Sequence, residues 1–344
     1  MHVASLVSIQ SRRLWTCIFC VALAGVTLAG GILSAQTTTS LRLVSTAWPP
    51  FTNESGHPRF ALDLVEAAFS RIGVTSTTAI VGAPAFTSSL LSGPFEGSAA
   101  AWKDPERERA LLYSQPYLEN RLILVGRRGE DVSAAAMGAL NGKRIAIVEG
   151  YSYGDAIDVA GPTFVRTPRE EDSLSQLLGG AVDYTLMDEL VVRYITSNYP
   201  KESQARLQIG TIPLITRPLH LAIRRSVPDA EAIVKRFNTQ ILTMMVDRTY
   251  HRLLQLDWIR GDIDGDGIAE YVPRSDRVGS APPQQAYAIS SSPGTSKPND
   301  GKSKFYVGGN MYSDWATIPR TYKVPDADAP DPGRATATLF TFKW

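Results

Sequence analysis

The stretches LRLVST (41–46) and ALDLVEAAFSRIGV (61–74) decide the fold class. The first is a short β-rich run, and the second has apolar residues at the 3.6-residue spacing of a helix. The same order returns where VDYTLM (182–187) leads directly into DELVVRYITSN (188–198). Strands that alternate with helices in this way indicate an α/β layered fold.

The composition limits the classes of protein that the chain can represent. Its 344 residues are 44% hydrophobic and 20% charged, which is enough for one large domain or two ordinary ones. Lysine and arginine number 35 and the acidic residues 34, a formal net charge of +1. Such a chain has no overall basic field, so we expect no nucleic-acid partner.

The N-terminus predicts export. Arg12 and Arg13 precede the uncharged run 14–33, which is followed by the small residues Ser34 and Ala35. This pattern indicates a signal peptide over residues 1–35, cleaved near Ala35, and a periplasmic or secreted protein. The alternative is an uncleaved membrane anchor, because about 20 apolar residues can also span a bilayer. Both cysteines lie inside this run, so the remaining chain has no thiol chemistry.

The C-terminal part differs in composition from the rest. Residues 279–303 include 13 Gly, Ser or Pro among 25. The prediction is that the globular part ends near Ser275 and that residues 276–344 form a linker and a low-complexity C-terminal extension. The last ten residues (335–344) alternate in polarity, which favours an added edge strand.

Six segments together resemble a known family. They are AWPPF (47–51), FALDLVEAAF (60–69), PERERALLYSQPY (105–117), LNGKRIAIVEGYS (140–152), GGAVDYTLMDE (179–189) and VDRTYHRLLQLDWI (246–259). In this order the segments resemble the family 3 extracellular solute-binding proteins, the periplasmic receptors of polar amino-acid ABC transporters. The resemblance implies a two-lobed type II periplasmic binding protein fold, in which each lobe is a sheet flanked by helices.

The resemblance also implies where the lobes meet. Lobe 1 would comprise 41–127 and 217–275, and lobe 2 would comprise 128–216. The chain would cross between them near 127–130 and return near 212–218. A solute would bind between the lobes and be captured by hinge closure.

Polar ligand contacts are expected at three positions. By resemblance, Arg107 and Ser152 would bind a carboxylate and Asp188 an amino group; the arginine fork and the carboxylate suit these tasks. Arg109 is the alternative to Arg107, and either could be a solvated surface charge. Asp188 follows a strand and opens a helix, so the same residue could serve only as an N-cap.

Aromatic contacts are expected from Trp48, Phe60 and Trp102, although large aromatics are more often core residues. Where the family commonly has small hydroxylated residues, this chain has Ala99 to Ala101 and then Trp102. Because of this departure, the expected solutes are not limited to the standard polar amino acids. Ser114 and Tyr117 match the family as structural residues.

The loop DIDGDGIAE (262–270) predicts a structural calcium site with the ligands Asp262, Asp264, Asp266, Ile268 and Glu270. Pro273 stands where an EF-hand has its last acid, so the shorter, nine-residue kind of loop fits better. The alternative is a solvated Asp-Gly turn. No other cofactor is expected.

The sequence thus predicts a receptor for a small zwitterionic or anionic solute, with an ABC transporter permease as partner and no other membrane contact beyond the signal peptide. The scattered histidines and the lack of nucleophile motifs favour binding over catalysis. Two alternatives stay open. One is a stand-alone sensing or surface-binding module, and the other is a dehydratase-like enzyme with Glu106 or Glu149 as general acid.

Overall fold

The computed structural model describes residues 39–103, 107–149, 153, 157, 161–283, 286–289 and 304–324. The predicted signal peptide lies outside these ranges. The described helices are α1 (Phe60–Arg71), α2 (Ala83–Ser92), α3 (Glu170–Leu178), α4 (Glu189–Asn198), α5 (Pro200–Arg206), α6 (Ala230–Val246) and α7 (Thr249–Leu254). Within the described residues, no helix has the length and apolarity needed to span a membrane.

A large sheet of nine strands organises most of the chain. Its strands are β1 (Thr39–Thr46), β2 (Val74–Val81), β3 (Gly97–Ala101), β4 (Leu111–Tyr113), β5 (Leu118–Arg127), β6 (Arg144–Val148), β7 (Thr163–Thr167), β8 (Tyr184–Asp188) and β9 (Leu207–Arg224). Eight follow the order β2-β1-β3-β9-β5-β8-β6-β7, and β4 pairs with β9. The parallel pairs β1/β2 and β6/β8, connected through helices, confirm the predicted α/β class.

Two long strands, β5 and β9, connect two halves of this sheet. The first half contains β1, β2, β3 and β4, and the second half contains β6, β7 and β8. The C-terminal end of β9 pairs with β3 and β4, and the rest of β9 pairs with β5. Residues Leu122–Gly126 of β5 already pair with β8 in the second half. The chain therefore passes into the second half before Leu122, earlier than the predicted crossing near 127–130. Which residues move together as lobes stays a prediction.

Helix α1 shows how the sequence forms the main core. Ala61, Leu64, Val65 and Ala68 are fully buried and share one face at helical spacing. Near the end of α1, the ring of Phe69 lies edge-on to Phe237 of α6, with 5.8 Å between centroids. Part of the apolar face of α1 therefore packs against α6.

The C-terminal extension is folded in part, which corrects the prediction that residues 276–344 are linker and tail. A second sheet has the order β12-β10-β11-β13-β14. Its strands are β10 (Trp258–Gly261), β11 (Glu270–Pro273), β12 (Tyr287–Ala288), β13 (Lys304–Val307) and β14 (Asn310–Tyr312). The apolar side chains of Val278, Phe305, Val307 and Ile318 are buried together beside it.

Of these strands only β12 lies within residues 279–303. Their composition did not reveal it because the hydrogen bonds between paired strands use backbone groups, which any residue except proline can supply in full. Residues 290–303 and 325–344 are outside the described ranges, as is the predicted strand at 335–344.

Candidate functional site

Asp188 occupies the end of β8 and caps helix α4. Its Oδ1 accepts a hydrogen bond from the backbone N–H of Leu190 at 2.7 Å. Its Oδ2 accepts from the side-chain amide of Asn120 at 3.1 Å and from the backbone N–H of Arg121 at 3.0 Å. The side chain is 2% exposed, and this burial raises the pKa of Asp188 to about 7 while the three donors oppose the rise. The predicted strand-end position and the N-cap role both apply.

Asn120 connects Asp188 to an aromatic group. Its Oδ1 accepts a hydrogen bond from the indole N–H of Trp102 at 3.2 Å, while its Nδ2 donates to Asp188. An asparagine amide can donate and accept at once, so one buried side chain on β5 orients both neighbours.

The two predicted tryptophans contact each other. The rings of Trp48 and Trp102 lie edge-on with centroids 5.3 Å apart, and Trp48 also lies 4.8 Å from the ring of Phe51. The guanidinium of Arg217, on β9, lies 5.3 Å from the centre of the Trp102 ring. Trp48 and Trp102 are only partly buried, so this aromatic group retains exposed surface.

Phe60 is part of the main core. It begins α1 and is 8% exposed, and its backbone N–H donates to the carbonyl of Pro50 at 2.8 Å. This bond ties the start of α1 to the loop that follows Trp48. A packing role is therefore shown for Phe60, and a ligand contact stays a prediction.

Arg107 and Arg109 lie in a single 3-10 turn just before β4. Arg107 is half-buried and Arg109 is exposed. Contact of Arg107 with a solute stays a prediction. Ser152 and Glu106 lie outside the described residues, and Glu149 is exposed at the end of β6.

Four residues that precede or follow Arg107 and Trp102 in the chain have structural roles. Ala99 and Ala101 are buried within β3, on opposite faces of the sheet. The Ser114 hydroxyl accepts from the backbone N–H of Leu221 at 3.0 Å, and the Tyr117 hydroxyl donates to the carbonyl of Ala99 at 2.7 Å. Ser114 and Tyr117 thus hold strands together, as predicted.

Sequence reasoning missed the polar residues of the crossing strands. Glu119, Asn120 and Arg121 interrupt an otherwise apolar run in β5, which was a usable signal. The Nε of Arg121 lies 3.2 Å from Glu189, whereas its buried Nη1 has no hydrogen-bond partner among the described residues. A cation with an unused donor therefore lies beside Glu189, the residue that follows Asp188.

The acidic loop brings together three of its five predicted ligands. Oxygens of Asp262, Asp264 and Glu270 lie within 4.8 Å of one another. Asp266 instead pairs with Lys304 and accepts from the backbone N–H of Ile268 at 2.8 Å. The loop lies between β10 and β11, away from the sequence segments that form the Asp188 group.

Comparison with known proteins places this arrangement in a family. The sequence profile of the bacterial extracellular solute-binding proteins, family 3, matches residues 42–260. A protein of Escherichia coli that is named as an ABC transporter arginine-binding protein is 24% identical over 233 residues, covering 66% of this chain and 93% of that protein.

Two solved structures also match. The GluR0 ligand-binding core with L-glutamate aligns at a TM-score of 0.53 and 17% identity, over 64% of this chain and 98% of that one. An ancestral arginine-binding protein bound to arginine aligns at a TM-score of 0.49 and 23% identity, over 63% and 96%. The first match confirms the expected two-lobed fold, and the profile covers well over half of the chain. The chain belongs to the bacterial extracellular solute-binding proteins, family 3, and is a solute-binding receptor of that fold.

Proposed function

We propose that the receptor captures a small amino-acid-like solute, zwitterionic or anionic, and delivers it to the permease of an ABC transporter. The observation that supports this most directly is the hydrogen-bonded group of Asp188, Asn120 and Trp102. Asp188 ends β8, Asn120 lies on β5 and Trp102 follows β3. It puts a carboxylate, an oriented amide and an indole within one short chain of hydrogen bonds.

The hydrogen bonding of Asp188 leaves room for an ammonium group. A carboxylate offers about four lone-pair positions, and three donors occupy three of them. Among the described residues, Oδ1 accepts from Leu190 alone, so it retains a position for one N–H of the solute. A buried carboxylate gains more from such a partner than an exposed one.

The carboxylate of the solute would be bound by arginine. Arg107 is the first candidate, with Ser152 as a hydroxyl partner. Arg121 is a second candidate because its buried Nη1 has no partner among the residues the structure describes. Two arginines would suit an anionic solute, and a single arginine a zwitterion.

Trp48 and Trp102 would flank the side chain of the solute, with Phe60 supporting the loop beneath them. Indole rings bind both apolar and cationic groups on their faces. Capture would occur by closure around the solute, without chemical change. The exposure of Glu149 weakens the alternative of an acid-catalysed enzyme on this fold.

Location and partner follow from the same proposal. A protein that hands a solute to an importer works outside the cytoplasmic membrane, which agrees with the predicted export signal over 1–35 and a periplasmic location. Its own membrane contact would be limited to that signal and the permease.

The test is calorimetric titration of the purified protein with amino acids and small carboxylic acids, after a thermal-shift screen. A solute at 100 times its Kd adds about 2.7 kcal/mol of apparent stability. Arg107→Ala should weaken a hit by about 30-fold or more, as expected when a buried ion pair loses one partner. The matched control Arg109→Ala, two residues away and exposed, should leave the Kd within about twofold.

Equal binding by both variants would assign the carboxylate to Arg121 or to another site. Failure of every amino acid and small acid to bind would contradict the amino-acid-like solute itself. Uptake that needs an intact permease would separate transport from the stand-alone sensor.

A further inference from the structure

The loop between β10 and β11 is shaped around carboxylates. Asp262 accepts backbone hydrogen bonds from Gly265 at 2.7 Å and Gly267 at 2.9 Å. Both glycines have positive φ, +82° and +83°, a region that other residues rarely adopt. This conformation turns the loop back on itself, so that the side chain of Asp262 lies inside it.

Glu270 completes the group from the first residue of β11. Its side chain is fully buried, at 0% exposure. Oε2 accepts from the backbone N–H of Ile263 at 2.8 Å, but Oε1 has no hydrogen-bond partner in the described part of the chain. A buried charged oxygen without a partner is strongly unfavourable, so this position calls for a cation or a proton donor.

The neighbours of Glu270 indicate whether a cation or a proton donor is the better partner for Oε1. Glu270 lies within a group whose other members are Asp262 and Asp264, with ligand oxygens no more than 4.8 Å apart. Three carboxylates at this separation repel one another unless a positive charge lies between them. A divalent ion would offset the repulsion and give Glu270 Oε1 its missing partner.

We propose that Asp262, Asp264 and Glu270 bind a calcium ion. All of these ligands are hard oxygen donors, with no nitrogen or sulfur in the group, which favours calcium or magnesium over zinc. Calcium accepts six to eight oxygens in irregular geometry, so backbone carbonyls of the loop and water can complete its coordination. Magnesium demands a near-octahedral arrangement and binds less readily to such a loop.

Lys304 would compete with the calcium ion for the carboxylates of the loop. Its Nζ lies 3.4 Å from Asp264 Oδ2 and also contacts Asp266 Oδ2. It begins β13, whose residues pair with β11 so that Lys304 lies opposite Glu270. A single lysine charge leaves the four acids of the loop with an excess of negative charge. Calcium on Asp264 would take over one of the two contacts of Lys304, leaving the contact with Asp266.

The position of the ion would give it a structural role. Strand β11 pairs with β10 on one side, where the family-matched region ends at residue 260, and with β13 of the C-terminal extension on the other. An ion held between β10 and β11 would therefore brace the junction between the family domain and this extension. The proposal does not depend on which solute the receptor binds.

The experiment is calorimetric titration of calcium chloride into the full chain after treatment with a chelator. One calcium per chain is expected, with a rise in Tm that the chelator reverses. Glu270→Gln keeps an oxygen for the Ile263 N–H but removes the charge. Since loss of an outer-sphere partner alone costs 10- to 100-fold in metal affinity, loss of a direct ligand should weaken calcium binding by at least about tenfold.

Two further variants keep the result interpretable. Glu171→Gln, the same change in α3, should bind calcium as the unaltered chain does. Lys304→Gln removes the competing charge at the edge of the loop and should tighten calcium binding several-fold. This variant tests the proposal even if Glu270→Gln fails to fold. Absence of calcium binding at millimolar concentration, or equal affinity in the unaltered chain, Glu270→Gln and Lys304→Gln, would overturn the proposal.

Discussion

The phenol of Tyr287 binds both backbone groups of Glu119. The Glu119 N–H donates to the Tyr287 hydroxyl at 3.0 Å, and the hydroxyl donates in turn to the Glu119 carbonyl. Tyr287 belongs to the C-terminal extension, beyond the family-matched residues 42–260, whereas Glu119 lies on β5 next to Asn120. The extension thus contacts the strand that connects the two halves of the large sheet.

Replacing Tyr287 by phenylalanine should lower the free energy of unfolding by about 1–3 kcal/mol, because it removes two buried hydrogen bonds, one with the N–H and one with the carbonyl of Glu119. Urea denaturation measures the change. Tyr312→Phe is the control, because Tyr312 is only half-buried at the end of β14, and it should cost less than about 0.5 kcal/mol. Equal losses in both variants would show that the bond to Glu119 adds nothing.

Asp188 should make the stability of the unliganded protein depend on pH. Burial raises its pKa from 3.8 to about 7 in the folded state, so the folded state holds the proton more tightly than the unfolded one. This stabilisation is complete below about pH 4 and is lost as the pH rises through about 7, a change on the order of a few kcal/mol.

The Asp188→Asn variant tests this assignment by urea denaturation at several pH values. Its slope between pH 4 and 7 should be flatter than that of the unaltered chain. Its absolute stability should fall at low pH, because the amide has a single acceptor oxygen. Its NH₂ group would face either the Asn120 amide or the Leu190 N–H, and both of these are donors. An unchanged slope would assign the pH dependence to other groups.

Trp102→Phe should weaken solute binding by roughly fivefold, the equivalent of about 1 kcal/mol for one lost hydrogen bond. Phenylalanine keeps a ring beside Trp48 but removes the N–H that orients Asn120, and Asn120 in turn orients Asp188. Titration with whichever solute the screen identifies measures the effect. If the Kd does not change, the indole contributes its ring alone.

Phe237→Ala should cost about 3–5 kcal/mol of stability, since it removes a ring from the middle of a packed core. Phe237 is fully buried, and its ring lies 5.8 Å from Phe69 and 5.6 Å from Tyr117. Leu242→Ala on the same helix is the control. Leu242 is 40% exposed, so the thermal or urea midpoint of the Leu242→Ala variant should move far less than that of Phe237→Ala.

The amino-acid sequence by itself determined the fold class and several of the elements in the family-matched region. Alternating β-rich runs and helical runs predicted the α/β fold, and six short segments in order predicted the family and the strand-end position of Asp188. These features can be read locally, because strand and helix periods repeat within a few residues and a cap lies next to its helix.

Only the tertiary structure decided which distant residues meet. Asn120 contacts Asp188 across 68 positions, and Tyr287 reaches Glu119 across 168. Lys304 meets the acidic loop because β13 pairs with β11 through backbone groups, which leave little trace in side-chain composition. Long-range pairing depends on how whole strands register in a sheet, and burial of Glu270 depends on what packs over it. Neither is determined by the residues on either side in the chain, so the site of each contact became visible only in the folded molecule.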